Sequence, residues 1–429
     1  MKQIFKIAPF ILIIVFFLFL RLYHLEESLT VGTDQGMHLL EMYRLYTQKK
    51  ISLIGPVSSF KIDGRQFFFG PATYYLPMPF FAASGWNIFS VSYFMIFSQL
   101  LALLVLYRVL KTNYPRSNLA IFFLLIFTFS KISVDYSRFL WNPNLMIQTS
   151  LLLLSVLISL KNISHQRLKL FVGGLLFGLG MQFHYAFFPI IFICFIWLLF
   201  TKRLTLINIL TAFLGFIVGF SPLILFELRH NFYNFRTFLA FIIASLKGGN
   251  EASLYTPGYI LQYYTLPYLP FIYLLVSFLL VKLEKIHKVL VYLLITGYII
   301  YCLVIILPVP SNGFHSAEGW NYHGLQKAKE IIISENRKDY NLVDLLTGDI
   351  RAIYLRALLT LSQKPPMTVD EYPDSKYLFI YSKVPIEELL KGSLWEMDVM
   401  KPLNLEEKWF LQNDIYLYLL KRMPKKAKI

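Results

Sequence analysis

The sequence predicts an α-helical polytopic membrane protein carrying a small α/β domain at its C-terminal end. Of its 429 residues, 56% are hydrophobic and 15% charged, and the mean hydropathy is +0.55. A soluble globular chain is about half apolar and about a quarter charged. The apolar residues recur in runs of roughly 18–22, the length that crosses a ~30 Å hydrocarbon core. Near residue 310 the runs stop and a mixed, soluble composition begins.

Alternating the loops by charge predicts nine spans, near 7–22, 88–108, 118–134, 144–160, 169–183, 186–200, 205–226, 260–281 and 289–307. Basic residues fill alternate short loops: Lys2 and Lys6; Arg108, Lys111 and Arg116; Lys161, Arg167 and Lys169; Lys202 and Arg203; Lys282, Lys285 and Lys288. The positive-inside rule assigns these loops to the cytoplasm, which leaves the N-terminus inside and everything after 308 outside. No small-residue cleavage site follows the first apolar run, so it reads as a retained anchor. Residues 71–85 are short and proline-rich, and 236–246 are short. Both read as interfacial or re-entrant helices instead of spans.

The net charge of +16 belongs to this membrane half: residues 1–309 hold 24 Lys+Arg against 9 Asp+Glu, and the remainder 17 against 16. Charge dispersed over alternate loops does not build the single basic face that nucleic acid needs. Membrane lipids are the partners it implies. Cys194 and Cys302 both fall in predicted spans, so no disulfide framework or cysteine metal site is available.

Two domains follow: residues 1–309 as the membrane domain, with a long first outer loop at 23–87, and 310–429 as an extracytoplasmic α/β domain. In the latter, 322–335 has helical periodicity, 340–346 reads as a strand and 349–363 as an amphipathic helix. Tyr377–Tyr381 reads as a second strand, and 406–420 as a hairpin turning at Asn413-Asp414. His315 and His323 flank Trp320-Asn321-Tyr322, without a third metal ligand beside them.

The acids of the membrane half are Glu26, Glu27, Asp34, Glu41, Asp63, Asp135, Glu227, Glu251 and Glu284, five of them in the first outer loop. Long loops in compact architectures are usually functional. Asp34 lies in Val31-Gly32-Thr33-Asp34-Gln35-Gly36-Met37-His38, where the glycines allow close approach to a ligand. A stripe at 37, 39, 40, 43 and 46 predicts a helix lying on the membrane, with Asp34 at its N-terminus and His38 one turn on. Asp34 fits two roles there, a helix cap or a catalytic base. Other outer segments bring cations and aromatics to the same side: Arg138 to Asn144, Gln182 to Tyr185, and Glu227 to Asn231. Arg138 and Arg229 suit headgroup anchoring as well as phosphate binding.

These features together resemble the GT-C glycosyltransferases, in particular the family of protein O-mannosyltransferases, aminoarabinose transferases and Rgt-type bacterial sugar transferases. The resemblance rests on Arg21-Leu22 closing the anchor, then Thr33-Asp34-Gln35-Gly36, then Gly70-Pro71-Ala72-Thr73-Tyr74-Tyr75. Phe220-Ser221-Pro222-Leu223 and Phe226 to Phe232 complete it, over about residues 5–235. It implies a polyprenyl-phosphate sugar donor, inversion at the anomeric carbon on the outer face, and Asp34 as the catalytic residue. The acceptor could be a glycan, a lipid or a protein. Relatives carry a second acid after the first-loop aspartate, where this chain has Gln35. The donor phosphate then falls to Arg138, Arg229, His230 and His184, with Lys61 and Arg65 as further cations. His38, Tyr74, Tyr185, Asn142, Arg65 and Lys61 are the expected substrate contacts. A divalent cation could share the phosphate charge. Two rivals predict other patterns. A lipid-linked glycan transporter or flippase would place ionisable residues inside spans and show repeat-related halves. A polysaccharide polymerase or ligase would carry its large loop late, between spans.

Overall fold

A computed structural model describes residues 2–162, 164–247, 262–313 and 316–424; Glu251 and His315 lie outside the described residues. The chain forms two compact units, Met1–Leu22 with Leu45–Leu307, and Tyr23–Arg44 with Pro308–Ile429. The C-terminal boundary therefore falls at 307/308, beside the expected 309/310. The first loop differs from expectation: its leading half, 23–44, folds with the C-terminal domain and only 45–87 stays with the membrane unit.

In the membrane unit α1 (Lys2–Leu22) is the anchor helix. After α2 (Thr33–Thr47), the short helices α3 (Ala72–Tyr75) and α4 (Met78–Ala83) occupy the proline-rich stretch. Prolines 71 and 77 sit at their starts, where the missing N–H costs nothing. The remaining membrane helices are α5 (Ile88–Asn113), α6 (Leu119–Phe129), α7 (Lys131–Asp135), α8 (Leu145–Ser159), α9 (Gln166–Phe183) and α10 (Ile190–Phe200). They continue as α11 (Leu206–Arg229), α12 (Tyr233–Leu246), α13 (Gln262–Thr265), α14 (Leu269–Glu284) and α15 (Lys288–Ile306). A helix thus lies at each of the nine predicted span positions. Among the described residues, five segments have the length and apolarity of a crossing helix by themselves: Ile88–Asn113, Asn142–Ser159, Leu206–Arg229, Tyr263–Glu284 and Lys288–Ile306.

Burial sorts these helices into layers. In Asn142–Ser159, 83% of residues are buried, against 22% for both α11 and α15. α8 is therefore the centre of the bundle, and the outer helices turn leucine, valine and phenylalanine toward lipid. The closest pairing is α9 with α11. A Cβ on Gly174 would lie 1.8 Å from the carbonyl of Ala212, and one on Gly215 would lie 2.0 Å from that of Phe171. With Gly178 and Gly219 these form two facing Gly-x-x-x-Gly ridges, the small-residue packing that lets helix backbones touch inside a membrane.

The α6–α7 break is held by a buried cation. Ser130 leaves helical geometry at ψ 119° and its Oγ accepts the Ser133 N–H at 3.3 Å, capping α7. The carbonyl of Thr128, released by the break, accepts Arg21 Nη1 at 3.2 Å. Arg21 also donates to Gln99 Oε1 at 3.1 Å, and its guanidinium lies 3.6 Å from the Phe17 ring centre. One guanidinium thereby ties α1 to α5 and α6.

The α/β unit contains α16 (Tyr322–Glu335), β1 (Tyr340–Asp344), α17 (Ile353–Leu361), β2 (Tyr377–Ser382), α18 (Ile386–Lys391), α19 (Trp395–Asp398), β3 (Leu403–Gln412) and β4 (Ile415–Arg422). The sheet order is β1-β2-β4-β3, with β1 and β2 parallel and the other pairs antiparallel. Every residue of β1 and β2 is buried, as expected of strands covered on both faces. The β3–β4 hairpin turns at Asn413 and Asp414, both at positive φ (45° and 59°), the backbone a two-residue type I′ turn requires. One side of the core joins Val343, Leu378, Ile380, Tyr418 and Leu420 to Met397 and Met400.

The helix α2 also corrects the expected stripe. Leu39, Met42 and Leu45 are buried, while Met37 and Tyr46 are exposed. The buried set keeps helical spacing, and α2 is rotated so that His38 joins it. Gly36 explains the rotation in part: a Cβ there would lie 2.6 Å from the Tyr354 Cα, so α2 meets the start of α17 backbone to backbone.

Candidate active site

In the α/β unit, Asp34 occupies the first turn of α2 and its side chain is exposed. A carboxylate there sits at the positive end of the helix dipole. His38 sits one turn on and is 2% exposed. Burial pulls its pKa down to about 4 against the opposing pull of Asp34, so the imidazole is neutral at pH 7. His38 therefore lies beneath the surface that presents Asp34, not on it as a substrate contact. Gly36, expected to admit a ligand, spends its missing side chain on Tyr354.

Glu26 and Glu27 of the first loop face histidines. Glu27 pairs with His24 Nδ1 at 3.2 Å, and His323 reaches Glu26 at 3.5 Å and Glu27 at 3.9 Å. Those contacts fasten the start of the first loop to α16. Among the described residues no group of three or more His, Cys, Asp and Glu side chains could hold a metal ion. Asp34 is followed by Gln35 and a buried His38, a donor set that does not fit a divalent cation, and no catalytic step is assigned to one.

In the membrane unit, residues 57–68 fold back on themselves through bridges at Val57–Phe68 and Ile62–Arg65. The turn is Asp63-Gly64, both at positive φ (49° and 72°). Lys61 and Arg65 are exposed at this tip, where Arg65 pairs with Asp63 at 3.5 Å. Behind the tip Phe67, Phe69 and Ile62 pack on Phe241 of α12. The Phe68 peptide is clamped from three directions. Its N–H donates to Asn234 Oδ1 at 2.5 Å, and its carbonyl accepts Asn234 Nδ2 at 2.9 Å and Tyr185 Oη at 2.9 Å. Asn234 also donates to Tyr185 Oη at 2.8 Å. Next along, the Gly70 N–H donates to the Gln182 carbonyl at 2.7 Å, and the Ala72 N–H to Gln182 Oε1 at 3.2 Å.

His184 closes α9 and stacks on Phe69 with ring centres 4.7 Å apart. Tyr263 and Tyr264 approach its other sides at 5.6 and 5.4 Å, and Trp141 packs on Tyr263 at 4.7 Å. Burial pulls the pKa of His184 down to about 3. Its Nδ1 accepts the Ala186 N–H at 3.0 Å, which places the proton of the neutral ring on Nε2. His184 can thus donate one hydrogen bond to a phosphate oxygen but brings no charge to it. Asn142 braces the same corner, Nδ2 donating to the Phe183 carbonyl at 2.7 Å.

Tyr74, expected to contact substrate, is buried in α3. Arg138 is buried and donates from Nη2 to the Leu20 carbonyl at 2.5 Å, at the end of α1. Arg229 and His230 are exposed at the end of α11, with His230 Nδ1 2.9 Å from the Phe226 carbonyl. Glu227 caps α12, accepting the Phe235 N–H at 3.2 Å. So Asn142, His184 and Tyr185 come together, while Lys61 and Arg65 form a separate exposed tip. Gln182 and Trp141 lie in the outer segments the sequence marks, though without a role there; Asn234, Tyr263 and Tyr264 carry no such mark. The two Gly-x-x-x-Gly ridges that aim the end of α9 at the first loop were the available signal.

No protein-family model and no curated protein matches the chain. Solved structures do. ArnT from Cupriavidus metallidurans superposes in its undecaprenyl phosphate-bound form with a TM-score of 0.57 and in its apo form with 0.60. In both cases identity is 10% and the match covers 97% of this chain and 98% of the other. ArnT is an aminoarabinose transferase of the GT-C superfamily. At such identity the likeness speaks for the fold, and it spans membrane helices and C-terminal sheet alike. This chain shares the fold of these ArnT structures.

Proposed function

We propose that the protein is a membrane glycosyltransferase that moves a sugar from a polyprenyl-phosphate donor to an acceptor on the extracytoplasmic face, inverting the anomeric centre. The observation that carries this reading is the fold shared over 97% of the chain with an ArnT structure that holds undecaprenyl phosphate. The alternation of basic loops supports a cytoplasmic N-terminus and an extracytoplasmic C-terminal domain.

In the reaction, an acceptor hydroxyl oxygen forms a bond to C1 of the sugar as the bond from C1 to the phosphate oxygen breaks. The electron pair leaves with the polyprenyl phosphate, and the hydroxyl proton passes to Asp34. An exposed carboxylate in a helix first turn is suited to that transfer, a contribution of typically 10²–10⁴-fold. Arg138, Arg229 and His230, with the Nε2–H of His184, are the groups assigned to the departing phosphate, where fixed charge usually accelerates the reaction more than proton transfer does. Tyr185, Asn142 and Tyr74 shape the sugar side, and Lys61 with Arg65 the approach of an anionic substrate.

The test is Asp34→Asn in membrane vesicles supplied with polyprenyl-phosphate sugar. Transfer should fall at least about 10²-fold, with expression and melting temperature unchanged. Wild-type transfer by that variant would sink the assignment of the base. Accumulation of uncleaved donor on one leaflet, without any transferase activity in the wild type, would favour a transporter instead.

A further inference from the structure

Away from these residues, a cavity of about 470 Å³ opens between α1 and α5 at the end of the bundle that carries the basic α5–α6 loop. Phe10 of α1 lines one side. Leu104, Tyr107, Arg108, Lys111 and Thr112 line the other. Steps of three, one, three and one put all five on a single face of α5. The lining is graded along that face. Leu104 and the stacked rings of Phe10 and Tyr107, with centres 4.7 Å apart, make an apolar wall toward the hydrocarbon. Arg108, Lys111 and Thr112 make a cationic, hydrogen-bonding rim toward the aqueous end, and all three are at least partly exposed.

Among the described residues no carboxylate pairs with Arg108 or Lys111. The ion pairs between side chains of the membrane unit, among the described residues, are Arg65–Asp63 and Lys131–Asp135, and neither involves this face. Two adjacent uncompensated cations over a hydroxyl call for an anion with several acceptor oxygens. The apolar wall beneath them calls for a ligand that is hydrocarbon on one side, which a free anion is not. Leu101, one turn further along the same face, is 64% exposed and continues the apolar track. Basic pockets between transmembrane helices on the cytoplasmic side take anionic lipid headgroups.

We propose that this cavity binds the headgroup of an anionic glycerophospholipid of the cytoplasmic leaflet. Arg108, Lys111 and Thr112 hold its phosphate, and the Phe10–Tyr107 pair packs against the start of its acyl chains. The site is separate from the chemistry assigned to the outer face, and its ligand is a bound lipid and not a substrate.

The test uses full-length protein in detergent, titrated with phosphatidylglycerol or phosphatidylcholine, with bound lipid counted by native mass spectrometry. Phosphatidylglycerol should bind at least about 10-fold more tightly, at about 5-fold per cation. The pair R108Q/K111Q should lose that preference while its melting temperature without lipid is unchanged. Lys202→Gln, in another basic loop, should keep it, which separates this site from general surface charge. Y107A should weaken binding of both lipids. Equal binding of the two lipids by wild type, a preference that survives R108Q/K111Q, or loss of it in Lys202→Gln would overturn the proposal. So would displacement of phosphatidylglycerol by millimolar inorganic phosphate, which would mark the cavity as a free-anion site.

Discussion

The amide of Gln182 donates to the backbone carbonyl of Gly219 at 2.5 Å, joining the C-terminal end of α9 to α11 across their facing glycine ridges. The same side chain accepts the Ala72 N–H, and its backbone carbonyl accepts the Gly70 N–H. One residue therefore transmits the α9–α11 packing to the first loop. It can do so because Gly219 has no side chain: a Cβ there would lie 2.2 Å from the Leu175 carbonyl.

That packing predicts the effect of filling it. Gly215→Leu would drive a side chain into the Phe171 carbonyl, 2.0 Å from the new Cβ, and backbone cannot swing aside as a flexible side chain would. The cost should be at least the ~1–3 kcal/mol of ordinary overpacking. Thermal melting in detergent measures it. Sugar transfer should fall with it, because the end of α9 carries Gln182 and His184. A Gly297→Leu control, where nothing lies within 4 Å of the added Cβ, should melt as wild type does.

A second close approach lies in the α/β unit. Gly36→Val places atoms against the Tyr354 backbone, 2.6–2.7 Å from the added Cβ. The intrinsic gain of replacing a helical glycine, under ~1 kcal/mol, is smaller than the ~1–3 kcal/mol of overpacking. Net destabilisation is the expected result. It should appear as faster hydrogen exchange in α2 and at the start of α17, with α9 and α11 unaffected. Unchanged exchange in α2 would show that the contact does not hold that helix.

What was legible in the sequence was what local chemistry decides. Asn413-Asp414 marks its turn because asparagine and aspartate tolerate positive φ, and the strands on either side then pair without choice. The span positions follow from apolar run length alone. What was not legible depended on partners distant in sequence. The expected stripe at 37, 39, 40, 43 and 46 and the buried set at 38, 39, 42 and 45 both have helical spacing, and the close approach of Tyr354 to Gly36 helps decide which is buried. The residue type and position of Arg138 suit a phosphate cation, but its hydrogen bond to Leu20 spans 118 positions and has no local sign. The aromatic box around His184 needs Trp141 and Tyr263, from segments that nothing in the sequence pairs.

The clamp on Phe68 makes a prediction about that kind of contact. Asn234→Ala would leave the half-buried Phe68 amide and the Tyr185 hydroxyl short of a partner. An unmade buried bond costs about 1–3 kcal/mol, more than the net worth of a made one. Tyr185→Phe removes two bonds, the one the hydroxyl donates to the Phe68 carbonyl and the one it accepts from Asn234, and leaves Asn234 its two bonds to the Phe68 peptide, so it should cost about 1–2 kcal/mol. The double variant should be less than additive, because the two side chains share a hydrogen bond. A cycle of four melting curves decides it; strict additivity would mean that the two residues act independently.

Acidification tests the burial of His38. That residue is 2% exposed, and burial holds its pKa near 4, against 6.5 for the free side chain, despite the opposing Asp34 carboxylate. Above pH 6.5 both folded and unfolded chains carry it neutral, and it adds no pH dependence. Between pH 6.5 and 4 the unfolded chain binds a proton that the folded chain refuses, so stability falls as pH falls. Complete titration of that gap corresponds to about 3 kcal/mol, from ~1.4 kcal/mol per pKa unit. His38→Gln, which cannot take up a proton, should melt lower than wild type at pH 7.5 yet lose less on acidification to pH 4.5. The quantity to compare is the difference between the two pH values for each protein, since other groups titrate equally in both. If wild type and His38→Gln lose the same stability over that interval, the buried imidazole is charged in the folded protein. The burial argument would then fail at this residue.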